Sequence, residues 1–223
     1  MIDFSLLEYF KYFRSDNPYQ LAAIQSLQDA LPDTLKKEDA DWREAWAASG
    51  MEQWVLTPFF SQLDNPVQPL RECLTSSAAM VAAKWNRVAG DVEYAWELKQ
   101  HGDTTEVQAH IDTLRSYGLK AVFLDKGTPE LIEQEIRAGR PVMTGWLHRG
   151  PIDSPEGFGH WSVVVGYNRD EFIMHDPAGV PDLMEGGHTR GSGRDHRVNR
   201  KQFLDRWLIE GPASGWMILV RDE

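Results

Sequence analysis

The only cysteine of the chain, Cys73, stands where a helix is predicted to begin. Residues 73–85 contain no Pro or Gly and carry apolar side chains at helical spacing, whereas residues 62–70 carry two prolines and are typical of a loop. A thiol at a helix N-terminus lies near unpaired N–H groups and the positive end of the helix dipole, and both favour the thiolate. This position therefore predicts a reactive nucleophile.

A histidine and an aspartate in the second half of the chain could complete a nucleophilic site. His160 opens a predicted strand over 160–167, and Asp176 directly follows a predicted strand over 171–175. A short hairpin turn between these strands would bring both residues to the same end of an antiparallel pair. Thiolate, imidazole and carboxylate are together the parts of an activated nucleophile.

Each of these residues also has a structural interpretation, which the sequence leaves open. A lone cysteine is often a small buried hydrophobic residue, and a histidine on an apolar strand can be a hydrogen-bonded core residue. An aspartate before a proline, as in Asp176-Pro177, can form a turn. The neighbouring His175 should point to the opposite face of its strand and is predicted to be structural.

A metal site is the other chemistry considered for this region. Four candidate ligands lie within 22 residues, namely His175, Asp176, His188 and His196. Their spacings match no zinc signature, such as two histidines four residues apart on a helix. The sequence therefore predicts no metal and no cofactor.

The composition limits the classes of protein that fit. A chain of 223 residues with 42% hydrophobic residues suits one sizeable domain, alone or with a smaller appendage. The net charge of -11 argues against nucleic acid as a partner, and a mean hydropathy of -0.46 without a long apolar run predicts no membrane span. A single cysteine cannot form an internal disulfide.

The first residues carry no basic or apolar signal-peptide pattern, so we expect a protein that is cytoplasmic as synthesised, with release to the cell wall by other means. Residues 1–50 are predicted to form a helical extension that docks on a main domain over 51–223. An apolar stripe of Leu21, Ile24 and Leu27 supports this docking. The oligomeric state has no signature in the sequence.

The order of predicted elements indicates an α+β fold, with helices first and an antiparallel sheet after them. Helices are predicted over 73–85, 91–100, 105–117 and 201–208, with another that begins at Thr128-Pro129 and ends at Gly139. Strands are predicted over 119–124, 142–148, 160–167, 171–175 and 216–221. Residues 178–199 are predicted to be a long loop, and the basic residues at 190–206 form either a cationic rim for an anionic substrate or a solvated surface.

Several motifs in this order resemble those of the C39-like cysteine peptidases, a family with a papain-like fold. They are Phe59-Phe60-Ser61-Gln62-Leu63-Asp64-Asn65, Cys73-Leu74-Thr75-Ser76-Ser77-Ala78-Ala79-Met80, Gly139-Arg140-Pro141-Val142, Gly159-His160-Trp161 with the strand after it, and His175-Asp176-Pro177. The resemblance covers roughly residues 55–221. Residues 1–50 and the loop 178–199 lie outside the family pattern.

The resemblance implies a role for each residue of the site. Cys73 would be the nucleophile, His160 the general base and later the acid, and Asp176 the residue that orients the imidazole. The family also uses a glutamine upstream of the cysteine as an oxyanion donor. Gln62 is favoured for this role over Gln68, with 66–71 as an inserted loop.

The resemblance implies a thiol-dependent hydrolase that cleaves an amide bond of a peptide or peptidoglycan-like substrate. A cell-wall peptide hydrolase or phage-type lysin is a narrower hypothesis, and amidase or transpeptidase action stays open. The alternative is a non-catalytic binding or scaffold protein that keeps the papain-like fold.

Overall fold

The structure, a computed structural model, describes residues 51–66 and 68–222. The predicted helical extension over 1–50 lies outside the described residues, so that expectation and the boundary at residue 50 stay predictions. The helices are α1 (Cys73–Lys84), α2 (Asp91–Leu98), α3 (Val107–Ser116), α4 (Pro129–Arg137) and α5 (Arg200–Trp207). Two short 3₁₀ turns, Gln62–Asp64 and Pro69–Arg71, precede α1.

An antiparallel sheet of seven strands forms the centre of the molecule. The strands that make up this sheet are β1 (Met51–Trp54), β2 (Lys120–Gly127), β3 (Val142–Trp146), β4 (His160–Asn168), β5 (Glu171–His175), β8 (His196–Asn199) and β9 (Gly215–Arg221). Their order is β2-β9-β3-β4-β5-β8, and β1 pairs with the end of β4. A separate hairpin is formed by β6 (Val180–Pro181) and β7 (His188–Thr189).

The sheet is covered on both faces, which gives three layers. Helices α1, α2 and α3 pack on one face, where Val163 and Val165 of β4 point, and α4 and α5 pack on the other with Val164. This alternation follows from the pleat of a strand, which sends successive side chains to opposite faces. Because both faces are covered, every residue of β4 is buried, and the histidine at its start is held firmly.

The predicted α+β class and most predicted elements are confirmed. Helix α1 begins at Cys73, and α4 begins with the predicted cap, because the Thr128 hydroxyl accepts a hydrogen bond of 3.3 Å from the Leu131 N–H. The prediction of a long loop over 178–199 is wrong, since β6, β7 and β8 all lie there. Strands of two to four residues in a Gly-rich segment have too little apolar alternation to be recognised from sequence.

No helix in the part of the chain that the structure describes is long and apolar enough to cross a membrane.

Candidate active site

Helix α1 presents Cys73 at its first residue. The helix is almost wholly buried from Leu74 to Ala82, whereas Cys73 itself is only half-buried. The Ser77 hydroxyl, one turn along, donates a hydrogen bond of 3.1 Å to the carbonyl oxygen of Trp161. This bond fixes the first turn of α1 against the start of β4, so the thiol lies next to His160.

The structure brings Cys73, His160 and Asp176 into contact. His160 Nε2 lies 2.9 Å from Oδ1 and 3.0 Å from Oδ2 of Asp176, and both side chains are buried. The Cys73 thiol hydrogen-bonds the His160 ring, and since Nε2 faces the carboxylate, Nδ1 is the nitrogen left for the thiol. We call these three residues the Cys–His–Asp cluster.

The pairing of β4 with β5 accounts for the contact between His160 and Asp176. Val163 lies opposite His175 in the antiparallel register, which places the start of β4 beside the residue that follows β5. Asp176 is fixed further, because its N–H donates to the Gly193 carbonyl at 2.9 Å and its Oδ1 accepts from the Ala178 N–H at 2.9 Å. The carboxylate is therefore held in place before any substrate binds.

The charges of the cluster support one another. Burial alone would raise the pKa of the Cys73 thiol, but the hydrogen bond and charge of His160 outweigh burial and lower it. Burial alone would lower the pKa of His160, but the Asp176 carboxylate and then the thiol raise it to about 10. Burial opposes ionisation of Asp176 too, yet the His160 imidazolium holds the pKa of this carboxyl well below its usual range. All three shifts favour a thiolate–imidazolium pair beside a carboxylate.

The two candidate glutamines lie in different surroundings. Gln62 is buried, its Nε2 donates to the Pro69 carbonyl at 2.7 Å, and its N–H donates to the Pro177 carbonyl at 3.0 Å. It therefore lies between the turn before Cys73 and the residue after Asp176. Gln68 is exposed, and its Oε1 accepts a hydrogen bond of 3.0 Å from Arg71.

A buried polar chain connects the Gln62 turn to the helices. Asn65 donates through its backbone N–H to the Gln62 carbonyl and through Nδ2 to the Ser76 hydroxyl, at 3.3 and 3.2 Å. The Ser76 hydroxyl donates in turn to Asp91 at 2.7 Å. Because Ser76 lies one turn after Cys73, this chain fixes the Gln62 turn relative to the thiol.

Two further histidines, His148 and His188, surround the cluster. His188 Nε2 lies 3.2 Å from Asp176 Oδ1, and its ring centroid is 4.6 Å from that of His160. The His148 ring lies 5.1 Å from His160, and burial first and then the charges of His160 and His188 lower its pKa to about 4. The sequence groups His188 with His175, Asp176 and His196 as candidate metal ligands, and of these three the described contacts bring Asp176 against His188.

His175 has the contacts of a structural residue. Its Nε2 lies 2.9 Å from the Thr57 carbonyl, and its Nδ1 accepts a hydrogen bond of 3.1 Å from the Asp195 N–H. Both ring nitrogens are occupied on the face away from Asp176. His175 therefore does not join the Cys–His–Asp cluster.

Most of the basic residues over 190–206 have local partners. Ion pairs join Arg194 to Asp195, Arg197 to Glu171, Arg200 to Glu133 and Lys201 to Asp205. Arg206 is fully buried and donates to four backbone carbonyls, those of Leu147, Arg149, Gly150 and Leu183. The described contacts favour the interpretation of paired surface and structural residues over that of a cationic rim.

An apolar cleft of about 390 Å³ lies beside His160 on the sheet side. Aromatic side chains line it, among them Trp161, Trp216 and Phe158, and Phe158 is fully exposed. A second cleft of about 240 Å³ lies on the helical side, between Glu72 and Trp96. Gly159 and Trp161 of the first cleft are the chain neighbours of His160, and Glu72 of the second cleft directly precedes Cys73.

The sequence profile of the Peptidase_C39 like family matches residues 56–212. The chain belongs to this family. The match spans both 3₁₀ turns, the whole Cys–His–Asp cluster and the β6–β7 hairpin. Membership of this family supports cysteine peptidase activity, and the resemblance inferred from the motifs is confirmed.

Solved structures show the same fold. A putative C39-like peptidase from Bacillus anthracis is 20% identical and superposes with a TM-score of 0.55. The alignment covers 76% of this chain and 98% of that chain. A double glycine motif protease from an AMS/PCAT transporter, solved in complex with the leader peptide, is 17% identical, with a TM-score of 0.50. The alignment covers 76% of this chain and 94% of that chain. A comparison with curated protein sequences gives no match. The chain therefore has the α+β, papain-like fold of this family.

Proposed function

We propose that this protein is a cysteine peptidase in which Cys73, His160 and Asp176 act as a catalytic triad. The observation that carries the proposal is the contact of one imidazole with a half-buried thiol and a buried carboxylate. A histidine with only a structural role does not require both a thiol at a helix N-terminus on one side of its ring and an anchored carboxylate on the other. Family membership supports the same activity.

In the proposed reaction the Cys73 thiolate attacks the carbonyl carbon of the scissile amide and forms a tetrahedral intermediate. The His160 imidazolium gives its proton to the departing amine, and the intermediate collapses to a thioester. His160 then takes a proton from a water molecule, which attacks the thioester and releases the carboxylic acid, so that the Cys73 thiolate and the His160 imidazolium are restored. Asp176 keeps the imidazole oriented and stabilises its charged form throughout.

Gln62 is the proposed oxyanion donor. Its buried side-chain amide donates to the Pro69 carbonyl and its backbone N–H to the Pro177 carbonyl, so the residue is fixed in the turn before α1, and one Nε2 hydrogen is left over after the bond to Pro69. The backbone N–H groups at the start of α1 supply the second donor. The exposed Gln68 has no comparable anchoring.

The proposed substrate is a peptide, or a peptide of peptidoglycan type. Support comes from the two clefts, which are lined by chain neighbours of His160 and Cys73, and from the structurally similar double glycine motif protease, which was solved with a leader peptide. A cell-wall peptide hydrolase or phage-type lysin is a narrower form of the same proposal.

The test is hydrolysis of a mixed peptide library and of peptidoglycan-derived peptides, with new termini read by mass spectrometry. The wild-type protein is compared with Cys73→Ala and Cys73→Ser, all in EDTA, and circular dichroism checks that each variant is folded. We expect cleavage by the wild type alone.

Substantial turnover by Cys73→Ala would contradict a thiol peptidase. Absence of cleavage by the wild type, together with an iodoacetamide reaction as slow as that of a free thiol at pH 6.5, would favour the non-catalytic binding protein.

A further inference from the structure

We propose that His160, Asp176 and His188 bind a Zn²⁺ ion. Within the described residues these three side chains offer one ligand atom each, all within 4.8 Å of one another. Two of them belong to the proposed triad, but the third comes from the β6–β7 hairpin and has no part in the peptidase mechanism described above. The site is therefore a separate property of the same pocket.

The spacing of the ligand atoms is close to that of a tetrahedral zinc site. Asp176 Oδ1 lies 2.9 Å from Nε2 of His160 and 3.2 Å from Nε2 of His188. Zinc bonds of roughly 2.0–2.2 Å at tetrahedral angles place neighbouring ligand atoms about 3.3 Å apart. The oxygen–nitrogen separations already approach this value, and the ligand atoms of the two imidazoles lie within 4.8 Å of each other.

The contact between His188 and Asp176 is close but poorly aligned for a hydrogen bond. His188 Nε2 is buried and lies at an ion-pair distance of 3.2 Å from Asp176 Oδ1, without well-aligned hydrogen-bond geometry. A buried nitrogen in such a contact with a carboxylate is well placed to share a cation with it. The side chain of His188 is 13% exposed, whereas that of Asp176 is 0% exposed, so an ion would enter past His188.

The hairpin that carries His188 is held by several backbone hydrogen bonds. Gly187 donates to the His148 carbonyl, and Asp182 donates to the Gly187 carbonyl at 3.0 Å. Pro181 lies opposite His188 in the register. The His188 imidazole therefore lies on an element whose backbone is already held in place. A ligand on such an element loses less conformational entropy when it binds a metal.

The donor set selects the kind of ion. Two imidazole nitrogens and one carboxylate oxygen suit Zn²⁺, whereas Mg²⁺ and Ca²⁺ prefer oxygen ligands alone. The fourth position would be left to water, because His148 lies outside the group of three. Binding would replace the proton on His160 Nε2, which passes to the solvent.

On the proposed function, the ion would inhibit the peptidase. It would occupy the space between His160 and Asp176 and replace the hydrogen bond that orients the imidazole. The zinc site is nevertheless tested without any substrate, so it can fail or succeed independently of the peptidase proposal.

The experiment measures Zn²⁺ binding to the EDTA-treated and desalted full chain by competition with a chromogenic chelator. It uses Cys73→Ala as the parent, because the thiol could otherwise hold zinc together with His160. His188→Gln is added to this parent, and His196→Gln, a half-buried histidine on β8, is the matched control. We expect the parent to bind one equivalent, His188→Gln to weaken the affinity at least tenfold, and His196→Gln to leave it unchanged.

A second measurement guards against a folding artefact. Zn²⁺ should raise the thermal unfolding midpoint of the parent and of the His196→Gln variant, but not that of the His188→Gln variant. If the parent binds no zinc, or if His188→Gln and His196→Gln bind it equally well, the proposed site is wrong.

Discussion

The Nε2 atom of His160 lies 2.9 Å from Oδ1 and 3.0 Å from Oδ2 of Asp176, with both side chains buried between neighbouring strands. A carboxylate in this position fixes which ring nitrogen carries the proton and stabilises the charged imidazole. The other side of the ring faces Cys73, where the charged imidazole stabilises the thiolate. The following predictions start from this relationship.

Asp176→Asn should lower kcat by at least about 100-fold and change KM little, because the amide can hydrogen-bond His160 in the wrong tautomer. The measurement is steady-state hydrolysis of whichever peptide the wild type cleaves, with EDTA present. Asp195→Asn is the matched control, since that carboxylate is exposed near His175 and should leave kcat unchanged. Equal activity of Asp176→Asn and the wild type would contradict the role given to Asp176.

Gln62→Ala should reduce kcat roughly 100-fold through loss of an oxyanion donor, while Gln68→Ala should keep wild-type kcat. The structural reason is that Gln62 is buried and anchored, whereas Gln68 is exposed and bonded to Arg71. Thermal unfolding of both variants separates an effect on catalysis from one on the turn. A larger loss of kcat in Gln68→Ala would reverse the assignment of the two glutamines.

Alkylation of Cys73 by iodoacetamide should be faster at pH 6.5 in the wild type than in His160→Ala by at least about tenfold. The thiolate is stabilised by His160, and without that imidazole burial raises the pKa of the thiol. The rate is followed by mass spectrometry in EDTA, with His101→Ala as a control for a distant histidine. Identical rates in all three proteins would show that Cys73 is not activated.

Arg206→Met should lower the free energy of unfolding by about 3–5 kcal/mol. The buried guanidinium donates to four carbonyls, and its loss leaves these acceptors without partners inside the protein. Arg197→Met removes an exposed ion pair with Glu171 and should cost about 0–1 kcal/mol. Urea denaturation compares the two, and similar losses would mean that the Arg206 bonds add little.

His110 should make the protein less stable as the pH falls from about 6.5 to about 4. Burial lowers the pKa of this fully buried histidine to about 4, so the unfolded chain binds its proton first as the pH falls. Stability is complete above the ordinary pKa of about 6.5, and about 3 kcal/mol is lost by pH 4. His110→Gln should flatten this part of the stability–pH curve relative to wild type, whereas His101→Gln, on the partly exposed His101, should not.

Local sequence signals were sufficient for the framework of the site. The change from a proline-rich loop to an uninterrupted apolar run placed the start of α1 at Cys73, and Thr128-Pro129 marked the start of α4. The short turn between β4 and β5 put His160 and Asp176 at one end of the sheet, because antiparallel register follows from turn length. Such features depend on neighbours in the chain, so the sequence alone determined them.

Contacts between distant loops could be read only from the tertiary structure. Gln62 and Gln68 are both plausible by spacing, and only the burial of one and the exposure of the other separates them. The sequence groups His188 with His175, Asp176 and His196, and only the path of the β6–β7 hairpin selects Asp176 as its contact. In the sequence Arg206 is one of several basic residues over 190–206. In the structure it is fully buried and donates to four backbone carbonyls. Loop paths depend on packing over the whole domain, which no local pattern of residues encodes.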